Sequence, residues 1–182
     1  MYTIRKAKPG DESHIAKVHT DSWRSTYTGL IPDNFIASFS VEKRTLLWAE
    51  TIRQMNKTEG RTIVFVCEDS LGKIIGFIAG GAEREADCGF DAELYALYLY
   101  KDQQKKGIGR LLTCELTRWF IKFAYKKMRV WVLENNPSCN FYQKIGGKNL
   151  PSTKTFDSDG RTFKEIAYGW DNLTELSRLG KI

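Results

Sequence analysis

The chain has 182 residues, 42% of them apolar and 27% charged, the length and balance of one globular domain with a substantial core. Its net charge of +6 raises nucleic acid as a partner, but Lys and Arg concentrate at 101–110 and 122–129, around one helix, and no reading motif accompanies them. No run approaches the ~18 apolar residues of a membrane span, and residues 1–10 hold no apolar signal core, so the expected location is the cytoplasm.

Residues 2–7 alternate and read as a first strand. Pro9-Gly10 breaks it, and Asp11 or Ser13 can cap a helix in which Ile15, Val18, Trp23 and Tyr27 recur at helical spacing. Gly29 to Pro32 interrupts the pattern. A second helix starts at about Val41, with Ser40 in the N-cap position and Leu46, Leu47 and Trp48 inside it. The apolar runs 62–67 and 73–79 are joined by a short polar segment ending at Gly72, which is an antiparallel hairpin signal. Gly80-Gly81 is expected to end the second run. A strand at 92–99 precedes a helix from about Gly109 to Lys127, with Ile108, Leu112, Leu116, Trp119, Phe120 and Phe123 on one face.

A further strand covers 129–133. Asn135-Asn136-Pro137 then opens a helix in the order of cap and first-turn proline, and Gly146-Gly147 closes it. Strands at about 148–156 and 161–170 flank the turn Asp157-Ser158-Asp159-Gly160. The strand–helix–strand unit over 92–133 implies a parallel pair, while the hairpins imply antiparallel neighbours. The expected architecture is a mixed α/β sheet with helices on both faces. Cys67, Cys88, Cys114 and Cys139 show no C-x-x-C spacing and only His14 and His19 accompany them, so reduced thiols and no metal are expected.

The stretch from Glu93 to Thr113 carries the chemistry. A strand ends in a loop where Gly107 and Gly109 let backbone N–H groups approach a ligand. A helix begins there, so its free N–H groups and positive dipole end face the loop, and Lys105, Lys106 and Arg110 add charge. These are the parts of a site for a phosphorylated ligand. Arg110 and Leu111 after Gly109 exclude the P-loop, and Leu112 stands where the dinucleotide fingerprint needs a third glycine.

Gln104-Lys105-Lys106-Gly107-Ile108-Gly109 resembles the Q/R-x-x-G-x-G/A motif of the GNAT N-acetyltransferase superfamily. A second segment, Asn135-Asn136-Pro137-Ser138 through Tyr142 to Gly146-Gly147, is similar to the family's N-x-x-A/S-x-x-x-Y-x-K-x-G-F, with Ser138 and Gly147 departing from the commoner alanine and phenylalanine. The order of elements resembles the GNAT fold along nearly the whole chain. The resemblance implies a centrally splayed sheet of about seven strands in a single N-acetyltransferase domain over 1–182. Acceptor-side helices would lie at about 10–55, an acetyl-CoA-binding core at about 92–147 and a C-terminal hairpin at about 148–171.

It also implies acetyl-CoA as co-substrate and an amine as acceptor, with coenzyme contacts from Gln104, Lys105, Lys106, Gly107, Ile108, Gly109, Arg110, Asn135, Asn136 and Ser138, and from the backbone of Leu97, Tyr98 and Leu99. The oxyanion donor would be the N–H of Leu97 or Tyr98. Asn135 or Asn136 would meet the pantetheine amides while one of them caps the helix. Tyr142 would protonate the leaving thiolate, unless it is simply a core tyrosine. Glu93 would be the general base, partly desolvated and with its pKa raised, directly or through water, unless it merely balances a lysine. Cys139 leaves a covalent route formally open.

For the acceptor, Glu83, Glu85, Asp87, Asp91 and Glu93 against a single Arg84 suggest an acidic mouth or a solvated hairpin. Trp23, Arg24 and Tyr27 could wall the pocket, with Arg24 meeting a carboxylate. The function expected is direct acetyl transfer to a small amine or peptide, with a non-catalytic acyl-CoA-binding module as the alternative. No membrane or nucleic-acid partner is expected, and a homodimer stays open.

Overall fold

The computed structural model describes residues 2–85, 89–158 and 160–179; Asp87, Cys88 and Asp159, which enter the reading above, lie outside them. Strand β1 (Thr3–Lys6) leads into helix α1 (Glu12–Tyr27). Asp11 does sit at the N-cap, but its carboxylate does not cap the helix; it binds the Arg5 guanidinium and the Lys8 N–H instead. A short helix α2 (Asp33–Ala37) follows, too brief to leave a periodic signal in the sequence. Helix α3 (Val41–Lys57) is capped as expected, the Ser40 hydroxyl accepting from the Lys43 N–H at 3.2 Å.

Strands β2 (Thr62–Glu68) and β3 (Ile74–Ala82) form the expected hairpin. Asp69 accepts from the N–H groups of Leu71 and Lys73, and Gly72 takes a φ of +78°. Gly80 and Gly81 do not end β3 but lie inside it. A Cβ on Gly80 would come within 2.9 Å of the Glu93 carbonyl and 3.0 Å of the Phe120 ring, so glycine lets strand and helix close up.

Strand β4 (Ala92–Leu99) is followed by a 3₁₀ turn at Lys101–Gln103 and helix α4 (Ile108–Lys122). The helix stops short of Lys127 because Ala124 takes a φ of +64° and the Tyr125 N–H turns back to the Phe120 carbonyl. That left-handed stop is one glycine normally makes, so the sequence carries no sign of it. Strand β5 (Met128–Leu133), helix α5 (Ser138–Lys144), strands β6 (Lys148–Ser158) and β7 (Arg161–Trp170) and an unforeseen helix α6 (Leu173–Arg178) complete the chain.

The seven strands form one sheet in the order β1-β2-β3-β4-β5-β7-β6, parallel between β4 and β5 and antiparallel elsewhere. Helices α1 and α3 cover one face of the β1–β4 half, burying Ile15, Val18, Trp48 and Ile52 against Val64, Val66 and Phe77. The other face is covered along its length by α4, α5 and α6, through Leu112, Leu116, Phe120, Tyr142 and Leu173. This is the mixed, two-sided α/β sheet that the alternation of hairpins and one crossover implies.

The parallel pair is short. Ala92, Glu93 and Leu94 pair with Met128, Arg129 and Val130, and beyond them β4 runs to Leu99 and β5 to Leu133 without a ladder between them. Tyr95 is an extra residue on β4, since Ala79 opposes Ala96 while the adjacent Gly80 opposes Leu94. Such a bulge bends its strand, and here it sits where β4 leaves β5.

Candidate active site

The gap between β4 and β5 opens into a cleft of about 250 Å³. One wall is β4 from Glu93 to Leu99, the other is β5 from Val130 to Leu133, and α1 contributes Trp23 and Tyr27. Tyr142 and Asn136 reach it from the α5 end. The structure thus brings together Glu93, Leu97, Tyr98, Leu99, Gln104, Asn136, Ser138, Tyr142, Trp23 and Tyr27 of the expected site residues.

The orientation of the β4 backbone separates two of them. The Tyr100 N–H bonds the Ile75 carbonyl, towards β3. The Leu99 carbonyl, one residue earlier, accepts instead from the Ser22 hydroxyl at 2.8 Å and from the Gln104 amide. Backbone groups alternate between the two edges of a strand. Leu97, two residues before Leu99 and past the bulge, therefore turns its N–H to the gap, and Tyr98 turns its own towards β3.

The glycine loop lies just beyond the end of β4. Lys105 has a φ of +61°, unusual for a residue with a side chain, and Gly107 one of +82°. Glycine is thus needed at 107 for the turn itself, while a Cβ at 109 would only touch the Phe141 ring at 3.4 Å. No side chain caps α4 and no acid stands in its first turn. Its free N–H groups, with Lys105, Lys106 and Arg110 alongside, fit a phosphate. Ile108 contributes backbone only, because its side chain is buried in the core.

Around α5, Asn136 is engaged twice. Its Oδ1 accepts from the Ser138 N–H at 2.8 Å and its Nδ2 donates to the Tyr27 hydroxyl at 3.1 Å. Asn136 is thus the residue that caps, and exposed Asn135 is left for other work. The Trp23 indole donates to the Tyr98 hydroxyl at 3.0 Å, and Tyr27, which accepts from Asn136, lies near Tyr98. These contacts tie α1 to β4 and to the start of α5 across the gap. Burial raises Tyr27 and Tyr98 above the usual phenol range.

The Tyr142 ring packs against Phe141, Tyr168 and Trp170. Its hydroxyl has no hydrogen-bond partner among the described residues and faces the cleft. Burial, helped by nearby Tyr98, raises its pKa. Cys139 does not line the cleft; its thiol points to the carbonyls of Leu133 and Glu134, and burial pushes it up, away from a reactive thiolate.

Three expectations about charge need correction. Glu93 is buried, and Arg84 holds both of its carboxylate oxygens, so the cation beside it is an arginine rather than a lysine. The acids of the expected mouth that lie among the described residues are engaged: Glu83 bonds Arg129 at 2.7 and 2.8 Å, Glu85 pairs with Arg129 and Lys154, and Asp91 accepts from the N–H groups of Lys126 and Lys127. Arg24 is exposed and away from the cleft, because its place on α1 points it off the sheet, while neighbouring Trp23 stacks on Phe39 with centroids 3.7 Å apart.

Sequence reasoning missed Glu165, which lines the cleft from β7. Burial raises its pKa, the nearby Glu93 adds to that, and Lys154 and Arg84 oppose it. It also missed Trp131 on β5, whose ring lies 4.2 Å from the Lys154 ammonium and 4.8 Å from the Arg129 guanidinium. One available signal was the lone acid in a strand where Phe163, Glu165 and Ala167 share a face.

The model of the acetyltransferase (GNAT) family matches residues 20–147. An uncharacterized N-acetyltransferase of Bacillus subtilis is 36% identical over 98% of each chain. A spermidine N(1)-acetyltransferase of Thermoplasma acidophilum is 29% identical, over 88% of this chain and 92% of that one. Among solved structures, a PaiA N-acetyltransferase from Thermoplasma acidophilum in complex with coenzyme A superimposes with a TM-score of 0.72 at 26% identity, covering 91% of this chain and 98% of that one.

Proposed function

The chain belongs to the acetyltransferase (GNAT) family, and from that membership we propose that it transfers the acetyl group of acetyl-CoA directly to a primary amine of a small molecule or peptide in the gap between β4 and β5. The observation that carries this reading is the gap itself. It leaves the Leu97 N–H without a strand partner on that side, within one cleft with the free Tyr142 hydroxyl. The uncapped start of α4 stands beside it.

In this reading the pyrophosphate rests on the N–H groups of 107–110, with Lys105, Lys106 and Arg110 around it. The pantetheine arm lies along the free edge of β4, and Asn135 meets its amides. The Leu97 N–H donates to the thioester oxygen as that atom takes on charge. Tyr142 gives its proton to the departing sulfur, over a short distance from a hydroxyl with nothing else to bond. Direct transfer is favoured over a covalent acyl-cysteine because the Cys139 thiol is turned away and its pKa is raised. Trp23 and Tyr27 wall the acceptor side. The Glu93–Arg84 ion pair lines the same cleft.

The test is incubation with acetyl-CoA and a panel of amines, following free thiol and acetylated product. The spermidine acetyltransferase among the relatives puts polyamines first on that panel. Amine-dependent thiol release matched by acetylated product supports the reading, and tight binding of acetyl-CoA without transfer to any amine overturns it.

A further inference from the structure

Four charged side chains line the cleft: Arg84, Glu93, Lys154 and Glu165. Three are committed, Arg84 and Glu93 to each other and Lys154 to Glu85. The Glu165 carboxylate has neither an ion pair nor a hydrogen bond to any described residue. It stands on β7 opposite Leu133 of β5 and Lys154 of β6. Arg129, Trp131 and Leu133 alternate on β5 with core residues Val130 and Val132, so this face of the β5–β7 region is the one α4 and α5 leave uncovered.

We propose that Glu165, rather than Glu93, takes the proton from the acceptor's ammonium group, which enters over the open face of β5 and β7. This rests on the acetyl-transfer reading above and adds the base to it. Two carboxylates share the cleft, and their surroundings set them apart. Glu93 is satisfied by a bidentate guanidinium and could receive a proton only by giving up that pair. Glu165 is half-buried with no hydrogen bond to its carboxylate from a described residue, and burial raises its pKa, as does Glu93; Lys154 from β6 and Arg84 from the β3–β4 loop offset this only in part. From β4, Tyr98 is the remaining titratable group in its field.

The protons balance. Nitrogen loses two on going from ammonium to amide. Glu165 takes the first, and the freed lone pair forms the C–N bond as the C–S bond breaks. The sulfur takes the Tyr142 proton. The second nitrogen proton restores Tyr142, and Glu165 passes its own to solvent, so one proton ends on the thiol and one in water.

The experiment measures kcat against pH at saturating acetyl-CoA and amine, using two acceptors whose amines differ in pKa, for wild type, Glu165→Gln and Glu93→Gln. Calorimetric titration of acetyl-CoA and thermal melts on each variant check coenzyme binding and folding. In the wild type the acidic limb should fall at the same pH for both amines. Glu165→Gln should bind acetyl-CoA unchanged, lose roughly 10²- to 10⁴-fold in kcat, and show a limb that follows each amine's own pKa. Glu93→Gln should keep the wild-type limb.

A wild-type limb that already follows the amine overturns the assignment without any variant. A Glu165→Gln enzyme that keeps the wild-type limb, or a Glu93→Gln enzyme that loses it, overturns it as well. Absence of thiol release by the wild type with every amine takes down the acetyl-transfer reading, and the base with it.

Discussion

The gap between β4 and β5 divides the sheet into a dry half and a charged half. On the β1–β4 side, Val64, Val66, Phe77 and Ala79 lie under α1 and α3, and Ile63, Phe65 and Ile78 lie under α4. Even the polar member of that packing, His19, is enclosed by Phe39, Trp48, Phe77 and Tyr98, with the Trp48 indole donating to its Nδ1. On the β5–β7–β6 side the α4 face is apolar, while the other carries Arg129, Trp131, Lys154 and Glu165 beside the gap. The dry half can therefore hold the free edge of β4 in place, while the charged half can vary what approaches it. The α2 segment and the hairpin ends meet over the far end of the charged half, where Phe35, Ile36, Phe156 and Phe163 cluster.

The largest effect should come from breaking the dry half. Phe77→Ala empties a fully buried site against Trp48, Tyr98 and His19 and should cost about 3–5 kcal/mol of stability. Denaturant unfolding measures it; a loss under about 1 kcal/mol would mean the core collapses around the space.

Tyr142→Phe sharpens the comparison from the gap. It removes one oxygen that bonds nothing described and keeps the ring among Phe141, Tyr168 and Trp170. Stability and acetyl-CoA affinity should hold, while kcat falls roughly 10- to 10³-fold, less for an acyl donor with a more acidic leaving thiol. A variant with full kcat and a lower melting temperature would return Tyr142 to the core alone.

The smallest effect concerns pH. Burial lowers His19 from 6.5 to about 3, with Arg44 helping. The unfolded chain therefore binds one more proton than the folded chain in that window. The stability linked to His19 is complete above about pH 6.5 and is lost as pH falls towards 3, at up to about 1.4 kcal/mol per pH unit. Glu165, raised by burial, acts with the opposite sign, since charging it as pH rises costs stability. Urea midpoints should fall between pH 6.5 and 5, and His19→Gln should flatten that slope. An unchanged slope in the variant would assign the acid sensitivity elsewhere.

Most strands were legible because each announces itself locally. The runs at 62–67 and 73–79 flank a turn with Gly72, and Ser40 caps the helix it precedes. The loop from Gln104 to Gly109 was legible as a phosphate site because its glycines and the helix start are neighbours in sequence. Helix α2 was not, having too few residues for a period, and the stop at Ala124 was not, having no glycine. The surroundings of Glu93 were hidden for another reason. Arg84, nine residues before Glu93, closes on it only because β3 and β4 pair, and Glu165 joins their cleft from 72 residues downstream through β5 and β7. Such neighbours leave no trace in local pattern.

The central claim is that β4, on leaving β5, offers the Leu97 N–H to the thioester. Leu97→Pro tests it most directly. Proline removes that one donor, and because the N–H points away from β3 it breaks no ladder bond there, as at a sheet edge. With folding checked by circular dichroism and acetyl-CoA affinity by calorimetry, kcat for thiol release should fall roughly 10²- to 10³-fold, the loss of one oxyanion donor, with Kd nearly unchanged. A folded Leu97→Pro enzyme that binds acetyl-CoA and turns over at the wild-type rate would contradict the account.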